Sequence, residues 1–240
     1  MDAPRARHAP PVSERRAAVL ALLLLVPAPT LGALAAFAIA PGPVGQALYG
    51  LAKLWIALLP LVWVLAIERA RPSLRFRPAR EPARAWLEGL AVGLALAAGL
   101  CGLWLAGAAR LLDVDALRAA LARAGVAGGA EYLAVALWIT LANSALEEYV
   151  WRWFVGERAA RLVGPRAGVP LAAACFTLHH VVVFALQGGA TFALVGGAAV
   201  FGAGCLWSWL VARHGALGPA WLSHALVDAV GLWIGWRLIG

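Results

Sequence analysis

Apolar residues along this chain run in long blocks separated by short polar interruptions. Seven blocks stand out, at Ala17–Ala40, Val44–Ile67, Trp86–Ala109, Tyr132–Phe154, Val169–Leu186, Thr191–Val211 and Ala220–Leu238. Each approaches the roughly 20 residues that a helix needs to cross about 30 Å of hydrocarbon. The pattern predicts an all-α, polytopic transmembrane bundle of about seven spans, with an eighth if one block hides two short helices. Pro27, Pro29 and Pro60 fall inside blocks, where the missing N–H should kink or break the helix. Asp113–Arg123 reads DVDALRAALAR, short and amphipathic, and predicts an interfacial or re-entrant helix and not a span. Gly93, Gly99, Gly196, Gly197, Gly202 and Gly204 within the blocks point to close helix packing.

The expected organisation is a cytoplasmic tail over residues 1–16, disordered through Ser13, followed by one transmembrane domain over 17–240. The first block has the basic start and apolar run of a secretory signal. It stays apolar through Ala40, longer than a signal core, which predicts a retained anchor.

Composition agrees with the pattern. Of the 240 residues 63% are hydrophobic and only 13% charged, about half the share usual in a soluble domain. The net charge is +8, and its placement matters more than its size. Arg5, Arg7, Arg15 and Arg16 precede the first block. Arg69, Arg71, Arg75, Arg77, Arg80 and Arg84 fill the second loop, Arg158, Arg161 and Arg166 the fourth, and Arg213 the sixth. The third loop is mixed, with Asp113, Asp115, Arg118, Arg123 and Glu131, and the fifth, around Gly188 and Gly189, is uncharged. Cations in alternate loops follow the positive-inside rule, so the N-terminus is expected in the cytoplasm and the C-terminus outside. Membrane lipid, and no nucleic acid, is therefore the expected partner. The arginine- and alanine-rich composition, without an organellar signature, gives a bacterial inner membrane as the expected location. Cys101, Cys175 and Cys205 lie inside apolar blocks with no CxxC, against a disulfide framework or a structural zinc site. No pattern fixes the oligomeric state.

Ionisable residues within spans are costly and usually face an interior or a wet cavity. Glu147, Glu148 and Arg152 share the fourth block, His179 and His180 the fifth, and His224 and Asp228 the seventh. Glu148 and Arg152, four apart, match as an ion pair whose role is structural. Glu147 lies about 100° around the helix and is left without a local partner, so it needs partners from other helices or must take up a proton. His224 and Asp228 are again four apart, so Asp228 can orient the imidazole or share a ligand with it. Counting about 1.5 Å per residue inward from Gly156, Gly168 and Gly218 places Glu147 about 14 Å deep, His180 about 18 Å and His224 about 9 Å. These depths form one band in the cytoplasmic half, as a single site requires. His179 reads as a packing residue or a contact to a site residue, Tyr149, Trp151 and Trp153 as packing or interface residues, and Lys53 as a cation that snorkels or pairs.

The same residues resemble the motifs of the CAAX protease and bacteriocin-processing (CPBP, or Abi) family, which includes the type II CAAX prenyl endopeptidases. That family's pattern is EExxxR, then FxxxH, then HxxxN or HxxxD. Here it reads Glu147-Glu148-Tyr-Val-Trp-Arg152, Phe176-Thr-Leu-His179-His180 and His224-Ala-Leu-Val-Asp228, in order, within 132–238. The resemblance implies an intramembrane endopeptidase with Glu147, His180, His224 and Asp228 as catalytic residues and Glu148 and Arg152 as support. Peptide hydrolysis needs an activated water and a stabilised oxyanion. Glu147 would be the general base, His180 would hold the water with it, and His224 would donate to the oxyanion. An amide in the last motif position can donate too, whereas Asp228, if ionised, cannot. It must then be protonated, orient His224 or bind metal.

Family members are described both as glutamate-type enzymes and as metalloproteases. Glu147, His180, His224 and Asp228 would supply nitrogen and oxygen ligands for zinc, but no HExxH is present, and the expectation is a glutamate-activated water without a cofactor. The implied substrate is a peptide or protein tail, prenylated or carrying a sorting signal. A proton-coupled transporter or channel would also place acid and imidazole in spans, and a catalytically silent scaffold of the same fold would keep the motifs. The chain has no internal repeat of the transporter kind, and no GxSG or GxGD of serine or aspartyl intramembrane proteases.

Overall fold

A computed structural model describes residues 12–126 and 128–239. Long helices dominate it: α1 (Ser13–Ile39), α2 (Pro43–Ile67), α3 (Pro82–Leu105), α5 (Gly129–Val163), α6 (Pro165–His214) and α7 (Gly218–Ile239), all apolar and long enough to cross a membrane. The short α4 (Val114–Arg123) lies between α3 and α5, where an amphipathic helix is expected, and Asp113 caps it by accepting from the Ala116 N–H at 2.9 Å. The expected disordered tail falls largely outside the described residues. Its last part does not hold, because helix begins at Val12 and residues 12–16 are helical.

The expected fifth and sixth spans are the two limbs of α6. Gly189 breaks the helix with φ 73° and ψ −169°, a conformation open to glycine. The limbs then pack antiparallel. Gly196 faces Phe184, Gly197 faces Val181 and Gly204 faces Ala173, so each step outward along one limb meets a step back along the other. Small residues let these backbones approach. With two crossings in α6 the bundle has seven spans, and no eighth appears among the described residues.

Pro27 interrupts the hydrogen bonding of α1 while Val26 keeps helical dihedrals, φ −61° and ψ −38°. Helix Val12–Leu25 gives way at Val26 to helix Pro27–Leu34, with Pro27 in the first turn where its missing N–H costs nothing. Pro60 stays inside helix, which widens into a π-turn at Trp63–Ile67.

Outer faces carry leucine and inner faces carry charge. Leu23, Leu51, Leu87 and Leu194 are more than half exposed, while Glu147, Glu148, Arg152, Arg158 and His224 are buried. That inversion suits lipid as solvent, since burying unpaired charge in an apolar interior is costly and paired charge is tolerated inside.

Contacts between loops sort the ends of the spans into two faces. On one, Arg15 donates to the Leu162 carbonyl at 3.2 Å, Arg158 pairs with Glu68 at 2.7 Å, and the Leu217 and Gly218 N–H groups donate to the Arg75 and Phe76 carbonyls at 2.9 Å. On the other, the Asp113 N–H donates to the Gln187 carbonyl at 2.9 Å and Arg118 reaches the carbonyls of Leu238 and Ile239. The first face holds the arginine-rich loops.

Candidate active site

The site forms where α5, α6 and α7 meet α2. In α5 regular helix alternates with π-turns, at Trp138–Asn143 and Glu148–Val155, leaving one α-turn, Ser144–Glu147, between them. Bonding from i to i+5 puts more residues in each turn and narrows the angle between neighbouring side chains; such segments recur at functional sites. Here it brings adjacent carboxylates inward together. Glu147 is 5% exposed and Glu148 1%.

Both carboxylates face one imidazole. His224 Nδ1 lies 2.8 Å from Glu148 Oε1, and its Nε2 lies 3.7 Å from Glu147 Oε2 and 3.7 Å from Asp228 Oδ1. An ionised carboxylate only accepts, so Nδ1–H is the donor to Glu148. Glu148 thus belongs to the site as well as to its ion pair with Arg152 at 3.5 Å, a wider part than the structural one expected. The Arg152 guanidinium lies over the rings of Phe176 and Trp207, 4.3 and 5.0 Å from their centroids, where ring faces offset some of the cation's burial.

The seat of His224 is set by packing along α7. Gly89 and Gly93 on α3, four residues apart, face Pro219 and Ser223 on α7, also four apart. Ser223 accepts a hydrogen bond from Trp207 Nε1 at 2.9 Å, and the Trp207 ring stacks on His224 with centroids 4.0 Å apart. Phe176 packs against both imidazoles, 4.6 Å from His180 and 6.0 Å from His224 between centroids.

His180 turns Nδ1 to the Phe176 carbonyl at 3.1 Å. A carbonyl only accepts, so the proton sits on Nδ1 and Nε2 is left as an acceptor. His179 stacks on Trp151, centroids 5.5 Å apart, in the packing role expected for it. Trp151 and Trp153 are buried, and Trp153 Nε1 donates to Ser73 Oγ in the loop after α2 at 3.1 Å.

Glu147 has a local partner, contrary to expectation, and a second from another helix, as expected. Asn143, four residues earlier on the same helix, donates to its Oε1 at 3.0 Å, and Lys53 of α2 stands 3.5 Å from the same oxygen. Lys53 also donates to Asn143 Oδ1 at 2.6 Å. Lys53 therefore pairs and does not snorkel. Asn143, Trp207 and Ser223 went unread because an isolated Asn, Trp or Ser in an apolar block carries no motif. Lys53 did carry a signal, as the chain's only lysine in mid-span.

The four side chains named as a zinc set do not form one as placed. Each histidine keeps Nε2 free while Nδ1 is held by a carbonyl or a carboxylate, and both nearby carboxylates stand 3.7 Å from His224 Nε2. Among the described residues no three His, Cys, Asp or Glu side chains are grouped to hold a metal ion.

Residues 129–230 match the family model described as type II CAAX prenyl endopeptidase Rce1-like. That segment is similar to the type II CAAX prenyl endopeptidases. It takes in all three motifs, from Glu147 to Asp228, and leaves α1 to α4 outside the match. No curated protein and no solved structure matches the chain. This similarity, with six helices long and apolar enough to cross a membrane, supports protease activity in an integral membrane protein.

Proposed function

We propose that this chain is an intramembrane endopeptidase that cleaves an extended peptide or protein tail by a glutamate-activated water, in the cytoplasmic half of the membrane. The observation that carries the reading is the spacing of Glu147 Oε2 and His224 Nε2, 3.7 Å apart on separate helices. It is too long for a direct hydrogen bond and suits two groups that share one water or reacting oxygen.

Glu147 takes a proton from the water through Oε2. His180 Nε2 accepts the other hydrogen, which leaves the water's lone pair aimed at the scissile carbonyl carbon. As the tetrahedral intermediate forms, His224 donates to the oxyanion from Nε2 when its ring carries both protons, Nδ1 being held by Glu148. Asp228, beside the same nitrogen, donates there only in its protonated form. Collapse of the intermediate breaks the C–N bond, and Glu147 returns its proton to the leaving amine.

The substrate is an extended segment, prenylated or carrying a sorting signal, that enters from the arginine-rich face. The bacterial inner membrane, with the N-terminus cytoplasmic, is the location proposed for it. In proteoliposomes, Glu147→Gln should insert normally and lose cleavage of a tail substrate by at least about 100-fold, the lower end of general-base catalysis. Cleavage by Glu147→Gln at the rate of the parent would overturn the assignment.

A further inference from the structure

Away from the arginine-bearing loops, two cations stand deep inside the spans, and each serves a different member of the Glu147–Glu148 pair. Arg152 stands beside Glu148 on the same helix. Lys53 comes from α2, outside the segment that matches the family model. It lies ten residues into the helix that starts at Pro43, about 15 Å along it. Its helix neighbours Leu51, Leu54 and Trp55 face outward. A lone ammonium at that depth is costly, and the site offsets the cost with Asn143 and Glu147.

The three groups close a triangle. Lys53 has only protons to give, so the Asn143 amide must turn its oxygen to Lys53 and its nitrogen to Glu147. Asn143 Nδ2 and Lys53 Nζ then both address Oε1 of Glu147, at 3.0 and 3.5 Å. Oε2, the other oxygen, faces His224. We infer that Lys53 and Asn143 are positioning residues that clamp Oε1 of Glu147, fix the carboxylate's rotation, and leave Oε2 alone to meet the reacting water.

A free carboxylate rotates about its last bond, and its two oxygens trade places. With Oε1 held by donors on two helices, rotation would break both contacts at once. The kinetic part of the inference rests on the protease reading; the structural part does not.

Two measurements separate them. First, the Glu147 carboxylate stretch is identified in infrared difference spectra by its loss in Glu147→Gln. Lys53→Met and Asn143→Ala should shift that band, and Lys53→Arg should bring it back toward the parent position. This readout needs no activity. Second, Lys53→Met should lower kcat by about 100-fold, the cost of a misplaced reacting group, with KM within about twofold. Lys53→Arg should recover much of the loss, and both should unfold as the parent does or be compared at equal folded fraction. A band and a kcat unmoved in Lys53→Met and Asn143→Ala overturn the clamp. A band that shifts in a protein that cleaves nothing keeps the clamp and overturns the protease reading.

Discussion

Arg152 shows how a single buried residue couples stability to the site. Its side chain and that of Glu148 are each 1% exposed. Removing one partner of such a pair leaves an uncompensated buried charge, typically about 3–5 kcal/mol. Arg152→Met should therefore destabilise the bundle by about 3 kcal/mol in denaturant titrations in micelles. Adding Glu148→Gln should recover most of that loss, because Gln keeps an oxygen for His224 Nδ1 while removing the stranded charge. A single variant as stable as the parent would count against the pairing. Pairs of this kind were legible in the sequence because spacing of four residues speaks for a shared helix face. Contacts across helices were not. Nothing local relates Lys53 to Glu147, ninety-four residues on, or Trp207 to Ser223, and a shared imidazole between Glu147 and Glu148 depends on a π-turn that side-chain order does not announce.

The elements were easier to read than their joints. Lipid demands about 20 apolar residues per span, so the blocks and their number emerged directly. The limbs of α6 also emerged, since Gly188 and Gly189 interrupt the apolar run. Seams between helices are less legible, because a glycine that faces a neighbour looks like one that faces lipid. Gly93 and Gly99 share α3, yet a side chain added at Gly93 would meet Ser223 and Leu226 of α7, whereas nothing lies near Gly99. Gly93→Leu should therefore push α7 away, costing about 1–3 kcal/mol by overpacking, and shift His224, one residue beyond Ser223, enough to reduce cleavage by about 100-fold. Gly99→Leu should change neither. Unfolding and cleavage measured on the two variants decide it, and equal behaviour would mean that the α3–α7 seam does not set the site.

At the scale of the whole molecule, seven crossings put the two termini on opposite faces, and the arginine-rich loops collect on the face where α1 begins. The positive-inside rule turns that geometry into the proposed orientation, with the loops around Arg80 and Arg213 in the cytoplasm and the segment from α3 to α5, with α4, outside. In that orientation His224 stands nearer to the cytoplasmic end of α7 than to its other end, while Glu147 lies close to the middle of α5. Arg80 and Arg123 are both exposed and sit on opposite faces. In a variant with Cys101, Cys175 and Cys205 replaced by alanine, none of them being in a disulfide, Arg123→Cys should react with a membrane-impermeant maleimide on intact cells, and Arg80→Cys should react only once the membrane is opened. Both reacting from one side would break the bundle's topology, because the two loops are an odd number of crossings apart. The reverse pattern would leave the bundle standing and move the site to the other leaflet, so that the tail it cuts would have to arrive from outside.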